Sequence, residues 1–243
     1  MLKKICLPAI KFMDRFNFSQ KFMLFGFLAV LVLVILSFSL ITQLHEEIKT
    51  TQIQLKGIER LKKISASIQS MQEHRGLVAS YLAGSNNLLF SDRSSVTHVV
   101  NREFSRISQD FPPLLLQESD WKTIKNRWQY LQQTNVTIGL NNNFSSHTRL
   151  VEKLIHFQHI VADYHNLTIL SNAGSSYLLD TAISELNSVA EILGKIRALH
   201  TINLISQSTD HTIKAELEIL IATLTTELRN LRINLNAASQ HTP

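Results

Sequence analysis

Two arginines occupy positions at which the pattern of neighbouring residues calls for an apolar side chain. Arg75 lies in a helical seam with steps of three and four residues, formed by Leu61, Ile64, Ile68, Met71, Val78 and Leu82. Arg197 lies in a similar stripe, which we predict to contain Ile183, Leu186, Ala190, Leu193 and Leu204. Burying a guanidinium without a partner is costly, so each arginine needs a carboxylate, a carbonyl or a bound anion.

Three explanations of these arginines are open from the residues alone. In the first, Arg75 and Arg197 bind an anionic ligand between helices through forked hydrogen bonds. In the second, each forms an internal ion pair, with Asp163, Asp180 or Glu191 as available partners. In the third, the long stems lie along apolar surface while the charged heads reach water.

A second set of polar residues has the spacing of metal ligands. His159 and Asp163 follow His156 by three and seven residues, which places all three on one face of a helix. That face lies opposite the stripe containing Phe157, so we favour a solvated polar face over a metal site. The ten histidines of the chain could also make it sensitive to pH.

Sets of residues typical of enzymes are missing from recognisable contexts. We find no Ser/His/Asp or Cys/His arrangement, no phosphate-binding glycine loop and no His-Glu-x-x-His motif. We therefore predict a protein that is not an enzyme and that uses no cofactor and no metal.

The helix that carries Arg75 is predicted to begin in a membrane-spanning segment. Residues 22–41 contain no charged residue and no His, Asn, Gln or Pro. At about 1.5 Å per residue, a twenty-residue helix crosses the roughly 30 Å hydrocarbon core of a bilayer. A buried core helix is the alternative, but such helices rarely stay apolar on every face for this length.

The distribution of charge predicts the orientation of this segment. Residues 1–21 carry five of the 24 basic residues and one of the 19 acidic residues, so the remaining chain is nearly neutral. This leaves no basic surface for nucleic acid and predicts a cytoplasmic N-terminus. A cleaved signal peptide is disfavoured, because the apolar run is longer than the about 7–15 residues of a signal-peptide core. The only cysteine, Cys6, precedes the span, and we predict a periplasmic domain without disulfides.

The rest of the sequence predicts an all-α protein with few turns. The first helix should continue from the membrane to about Leu82, while the preceding Ile5–Phe18 reads either as an interfacial helix or as a disordered tail. Further helices are expected over about 94–109 and 114–140, the second carrying Trp121, Trp128 and Leu131 and closed by residues 141–143. Ser146 is the predicted N-cap of the next helix, with Leu150, Leu154, Phe157, Val161 and Tyr164 on one face. After a turn at 172–176, the two last helices carry the Arg197 stripe and the series Ile213, Leu217, Leu220, Leu224, Leu228, Leu231 and Leu235.

Several motifs resemble the sensory half of bacterial transmembrane receptors, mostly methyl-accepting chemotaxis proteins and also some diguanylate cyclases and histidine kinases. The family's Gln-x-His-Arg-Gly motif on the first periplasmic helix is matched by Gln72, His74, Arg75 and Gly76. Further matches are the basic tail at residues 9–16, residues 20–22, Asp163 with Asn166 and Leu167, residues 176–180, and Gly194 with Arg197. The acidic turn usual before the tyrosine is replaced by Ser171-Asn172-Ala173-Gly174.

The resemblance implies a sensor module with a tail at 1–21, a transmembrane helix at 22–42 and a periplasmic up-and-down helical bundle at 43–239. It implies a small ligand bound near Gln72, His74, Arg75 and Arg197, a homodimer, and contact with the bilayer through residues 22–42. The chain ends at Pro243 without the second membrane helix and cytoplasmic domain of such receptors, so we expect a fragment, a truncated gene product or a signalling-deficient relative. The alternative function is a membrane-anchored structural or adaptor protein that binds another envelope protein.

Overall fold

A computed structural model describes residues 17–84, 88–118, 120–134, 137–168, 172–206 and 211–241. Every regular element in these ranges is helical, which confirms the all-α prediction. The helices are α1 (Phe18–Leu82), α2 (Leu88–Asp110), α3 (Pro113–Glu118), α4 (Trp121–Thr134), α5 (Leu140–Tyr164), α6 (Ala173–Asp180), α7 (Leu186–Ser206) and α8 (His211–His241), with a π-helical turn at Thr181–Glu185. The chain divides into two compact units, Met1–Gln52 and Ile53–Pro243. The prediction for Ile5–Phe18 falls outside the described residues except at its last two positions.

The first unit contains the apolar segment predicted to cross a membrane. Residues 22–41 lie within α1, and their side chains are exposed along the whole segment. The most apolar 18-residue window of this helix has a mean hydropathy of 2.9. Among the described residues, α1 is the one helix long and apolar enough to cross a membrane, as judged by length and composition.

The second unit has a hydrophobic core to which α1 contributes its predicted seam. Leu61, Ile64, Ile68, Met71 and Val78 are buried, and Leu82 is half-buried. They pack with buried residues of the following helices, including Val100, Phe104, Ile107, Leu115, Trp121, Ile124, Trp128, Leu131, Leu150, Leu154, Phe157 and Val161. The seam of α1 was therefore predicted correctly, including the burial of Arg75.

The end of α1 was also predicted correctly. Gly84 has a φ of +108°. This backbone conformation is strained for residues that carry a Cβ atom, whereas glycine adopts it freely. The Gly84 N–H donates to the carbonyl of Tyr81 at 3.1 Å, which closes the last turn of the helix. Residues 85–87 lie outside the described ranges.

The predicted single helix over 114–140 is wrong. Pro113 starts the short α3, as proline can at the first position of a helix, and α4 begins separately at Trp121. The chain turns after Thr134, whose carbonyl accepts from the N–H groups of Thr137 and Ile138. Trp121, Trp128 and Leu131 are nevertheless buried on α4, as expected.

The predicted start of the next helix is wrong as well. Gly139 is the N-cap of α5, so residues 141–143 form its first turn instead of closing a helix, and Ser146 lies inside it. Of the predicted face of this helix, Leu150, Leu154, Phe157 and Val161 are buried, whereas Tyr164 is exposed. The sequence thus identified the core face of α5 but missed its first two turns.

The stripe assigned to Arg197 is wrong beyond Ile183. Leu186, Leu193 and Leu204 are 48%, 49% and 64% exposed, and α7 instead buries Val189, Ile192, Ala198, Leu199 and Ile202. The π-helical turn explains the change, because its wider turn shifts the angular phase of every residue that follows it. A stripe drawn with α-helical steps from Ile183 therefore lands on the wrong face of α7.

The predicted stripe of the last helix, α8, is at most half-buried. Leu217, Leu220, Leu224 and Leu231 are half-buried, whereas Leu228 and Leu235 are 46% and 43% exposed.

Asn172 is the N-cap of α6, since its side-chain oxygen accepts from the Ser175 N–H at 3.1 Å. The predicted turn at 172–176 is therefore wrong in part, because α6 already begins at Ala173.

We predict opposite effects for two glycine substitutions within α1. A Cβ atom at Gly57 would lie 2.5 Å from Cβ of His165, whereas one at Gly76 would meet nothing nearer than Arg197 Nη2 at 3.8 Å. Gly57→Ala should lower the free energy of unfolding by roughly 1–3 kcal/mol through overpacking. Gly76→Ala should raise it by about 0.5–1 kcal/mol, because alanine favours a helix. Chemical denaturation of both variants in detergent checks this, and equal effects would contradict the close approach at Gly57.

Candidate functional site

Arg75 lies fully buried on α1 and forms an ion pair with Glu191 of α7. Its Nη1 donates to Oε1 of Glu191 at 2.5 Å, and its Nη2 donates to Oε2 at 3.1 Å. The Nη1 group also donates to the hydroxyl of Thr148 on α5 at 3.0 Å, and the guanidinium lies 5.3 Å from the ring of Phe144. This forked pairing corresponds to the second of the three explanations, with one of the partners named from the sequence.

Gly194 on α7 makes room for this guanidinium. A Cβ atom at residue 194 would lie 3.0 Å from Nη2 of Arg75, closer than about nine in ten real contacts of a Cβ atom. Gly194 follows Glu191 by three residues, so both lie on the side of α7 that faces Arg75. The glycine of the Gly-x-x-Arg motif thus has a steric role for the arginine of the other motif.

The carboxylate of Glu191 also receives hydrogen bonds and charge from other residues. Gln72 on α1 donates from Nε2 to Oε2 at 2.9 Å, and the Lys195 ammonium lies 3.7 Å from Oε1. Lys195 in turn lies 3.5 Å from Oε1 of Glu152 on α5. Glu191 therefore links α7 directly to α1, and it reaches α5 only through Lys195 and Arg75. It is 6% exposed.

His74 lies beside Arg75 in the sequence but belongs to a different buried group. Its Nδ1 lies 3.0 Å from Nε2 of His147 on α5, and its Nε2 lies 3.1 Å from the hydroxyl of Thr97 on α2. Nδ1 of His147 donates to the carbonyl oxygen of Asn143 at 3.0 Å. Both imidazoles have no solvent exposure. His74 therefore cannot contact a ligand unless the helices separate.

Burial and neighbouring charge lower the pKa of both histidines. The pKa of His74 is lowered to about 3, mainly by burial and further by His147 and Arg93. The pKa of His147 is lowered to about 4, again mainly by burial and partly by Arg75, against the opposing effect of its bond to Asn143. At neutral pH both rings are therefore uncharged.

Gln72 and Arg197 line an open cavity of about 470 Å³ between α1 and α7. Its other lining residues are Gln69, Glu73, Ala190, Leu193 and Gly194. Arg197 is exposed, and among the described residues no carboxylate lies within ion-pair distance of its guanidinium. Because Gln72 also bonds Glu191, one amide joins this cavity to the buried ion pair.

The four residues predicted to bind a ligand therefore fall into three environments. Gln72 and Arg197 share the cavity, Arg75 lies behind it in the ion pair, and His74 lies in the histidine group. The first of the three explanations, in which Arg75 and Arg197 bind one anion, does not describe this arrangement, because Glu191 already occupies the Arg75 fork.

A larger cavity of about 550 Å³ lies beside α6 and the π-helical turn, and none of these four residues lines it. It is lined by His159, Leu167, Thr168, Ala173, Ser176, Tyr177, Leu179, Asp180, Ile183 and Ser184. Several of them belong to the motif at residues 176–180. We place the candidate site at the smaller cavity, because only that one connects to a buried charge pair.

The metal-ligand spacing at His156, His159 and Asp163 does not produce a cluster. His156 and Asp163 are exposed, as the solvated-face interpretation predicted, while His159 is half-buried. Within the described ranges, no group of three or more His, Cys, Asp or Glu side chains could hold a metal ion. Asp180, one of the other partners considered for Arg75, instead accepts from the Ser184 hydroxyl at 2.9 Å.

His147 and Thr148 were missed from the sequence, although a signal was present. The apolar stripe of α5 extends backwards from Leu150 by helical steps to His147 and Asn143, both fully buried. Placing the helix start at Ser146 removed that part of the stripe from consideration. Polar residues at seam positions were the signal at Arg75, and the same signal existed on α5.

Comparisons with known proteins do not add a family to this geometry. Comparing the chain with protein-family models, with curated protein sequences and with solved structures finds no match. The resemblance to receptor sensory regions therefore stays a prediction from motif residues. Four of those residues, Gln72, Arg75, Gly194 and Arg197, lie near one another in the second unit.

We predict that Arg75 and Glu191 depend strongly on each other. Arg75→Met or Glu191→Leu alone should lower the free energy of unfolding by roughly 3–5 kcal/mol, because each leaves an unpaired buried charge. The double variant should recover most of this loss, since two apolar side chains then pack in place of the pair. Chemical denaturation of all four proteins gives the coupling energy. Additive losses would contradict the pairing, and Lys195→Met serves as the control for a nearby cation.

We also predict that acid destabilises the fold through His74 and His147. Their pKa values are lower in the folded state than the ordinary 6.5, so the unfolded chain binds protons first as the pH falls. Stability should therefore be complete above about pH 6.5 and decrease below it, by up to about 2 kcal/mol per histidine at about pH 5. Denaturation curves at several pH values measure this. The double variant His74→Gln/His147→Gln should lose less, and an equal loss would contradict the assignment.

Proposed function

We propose that this chain is the membrane-anchored sensory module of a chemoreceptor-like signal transducer, with its N-terminus in the cytoplasm and its helical domain in the periplasm. The apolar stretch of α1 and the basic residues before it support this placement. The all-helical second unit supports a bundle, for which we retain the up-and-down arrangement and the homodimer as parts of the proposal.

The observation that carries the proposal is the connection from an open cavity to a buried ion pair. Arg197 and Gln72 line the cavity, and Gln72 donates to the same carboxylate that binds Arg75. A small ligand with an anionic group would bind Arg197 and compete for the amide of Gln72. Losing that amide would change the hydrogen bonding of Glu191, which connects α1 with α7.

Such a ligand would act by shifting the relative population of two helix packings. The two packings would differ in whether the ion pair between Arg75 and Glu191 is fully formed. They would be distinct states, because a packed core has discrete arrangements and does not deform continuously. A ligand changes the balance only by its differential affinity for the two states. No chemistry on the ligand is required, in keeping with the expectation of a non-catalytic protein.

A structural or adaptor role is the second candidate, and three exposed leucines of α7, one of which also lines the cavity, favour it. Leu186, Leu193 and Leu204 are large apolar side chains that are about half or more exposed. Exposed apolar residues that recur along one helix are typical of a surface that binds another protein. The pairing of both Nη groups of Arg75 with Glu191 also agrees with a core built for stability.

A thermal-shift screen of the full chain in detergent against small anions and amino acids distinguishes the two functions. A ligand at a hundred times its dissociation constant should add about 2.7 kcal/mol of stability, which raises the melting temperature by a few degrees. Arg197→Met should abolish the shift without lowering the stability of the free protein, because Arg197 is exposed.

Arg149→Met is the matched control, since Arg149 is an exposed arginine on α5 that does not line the cavity. It should leave the shift unchanged. A shift that survives in Arg197→Met would place the ligand elsewhere. The absence of a shift with every compound would leave the adaptor role as the better explanation.

A further inference from the structure

The buried histidine group forms a continuous row of four polar contacts. The row runs from the Asn143 carbonyl to His147 Nδ1 at 3.0 Å, and from His147 Nε2 to His74 Nδ1 at 3.0 Å. It continues from His74 Nε2 to the Thr97 hydroxyl at 3.1 Å, and from that hydroxyl to the Arg93 carbonyl at 2.8 Å. All four distances are those of hydrogen bonds, and each contact needs one proton.

With neutral histidines this row is one proton short. A carbonyl only accepts, so His147 carries its proton on Nδ1 and its Nε2 is an acceptor. His74 must then donate from Nδ1, which leaves its own Nε2 as an acceptor. The single hydroxyl proton of Thr97 can go to His74 or to the carbonyl of Arg93, but not to both. Three protons therefore serve four contacts.

One added proton completes the row without moving any heavy atom. His147 then donates from both ring nitrogens, to Asn143 and to Nδ1 of His74. His74 donates from Nε2 to Thr97, whose hydroxyl proton goes to Arg93. We propose that His74 and His147 together form a binding site for one proton, shared across their 3.0 Å contact, and that this site makes the helical domain responsive to acid.

The site takes a single proton because a second one would be repelled. Two protonated rings would point N–H groups at each other across the same contact. The groups that face the pair carry charges of both signs: Arg93 faces His74, and Arg75 with its partner Glu191 lies beside His147. Trp128 on α4 packs edge-on against His74 with 5.0 Å between ring centroids and carries no charge. These cations and the burial place the protonation below the ordinary histidine range.

The proton site lies beside the ion pair, in one layer of the domain that we define by His74 and Arg75 on α1 and His147 and Thr148 on α5. His74 precedes Arg75 on α1, and His147 precedes Thr148, the residue that accepts from Arg75 on α5. A positive charge on the histidine pair therefore lies next to the guanidinium of Arg75. The two positive charges repel each other, which destabilises the buried position of the Arg75 side chain. The proton site does not depend on the ligand cavity, so it holds whether or not the domain binds a small ligand.

Histidine NMR on the full chain in detergent micelles tests the proposal. With ring-labelled histidine, His74→Gln and His147→Gln identify the two pairs of signals among the ten histidines. We expect both rings to change in one common step that totals one proton, while the protein stays folded. The midpoint should lie between about 4, the lowered pKa of His147, and the ordinary 6.5. Two separate steps, two protons, or no uptake before unfolding would overturn the shared site.

Thr97 provides a matched pair of variants. Thr97→Val removes the acceptor for the Nε2 proton of His74, so it should lower the midpoint by about one pKa unit. Thr97→Ser keeps the hydroxyl and should titrate as the unaltered protein does. A general loss of stability in Thr97→Val would not by itself move the midpoint. An unchanged midpoint in Thr97→Val would show that the row does not control the proton.

Discussion

The ion pair between Arg75 and Glu191 is the interaction on which the arrangement of the second unit depends. Removing a guanidinium and a carboxylate from water is expensive, and the cost is offset only by close geometry and additional hydrogen bonds. That requirement explains the forked bond, the added bond from Thr148 and the missing side chain at Gly194. Each of these features would be unnecessary in an apolar core. Together they fix the rotation of α1 and α7 about their own axes.

The same pair constrains how a ligand can act on the domain. Because the fork of Arg75 is filled by Glu191, an anion can reach Arg75 only by displacing a buried carboxylate. The nearer groups are Arg197 and Gln72, which face the cavity directly. Gln72 is the residue through which a change in the cavity reaches the pair, since it already donates to Glu191. The proposed sensor would need no contact between its ligand and Arg75.

The sequence predicted the parts of this architecture that depend on uninterrupted α-helical periodicity. The seam of α1 was correct from Leu61 to Val78, with Leu82 half-buried, and the ion pair found at Arg75 is one of the three explanations that the sequence left open. The apolar stripe assigned to Arg197 was wrong, because the π-helical turn at Thr181–Glu185 changes the angular phase of α7. The pattern of apolar residues in the sequence does not reveal such a turn. The start of α5 failed because Gly139 caps the helix without a side chain, so no capping residue marked it. Distances between helices, and hence the choice of Glu191, required the fold itself.

Adjacent residues on α1 make adjacent polar contacts on α5, and this pairing has a consequence for conformational change. His74 contacts His147, and Arg75 contacts Thr148, so two polar links of different chemistry lie in one layer. Apolar contacts in a seam have no directional bonds that fix the register of two helices. Directional hydrogen bonds in a buried layer do fix it, since a shift leaves donors and acceptors unpaired at a cost of about 1–3 kcal/mol each. The layer therefore favours one packing of α1 against α5, and any second packing must be stabilised by a change of charge within it, such as a proton on the histidines or a new partner for Glu191.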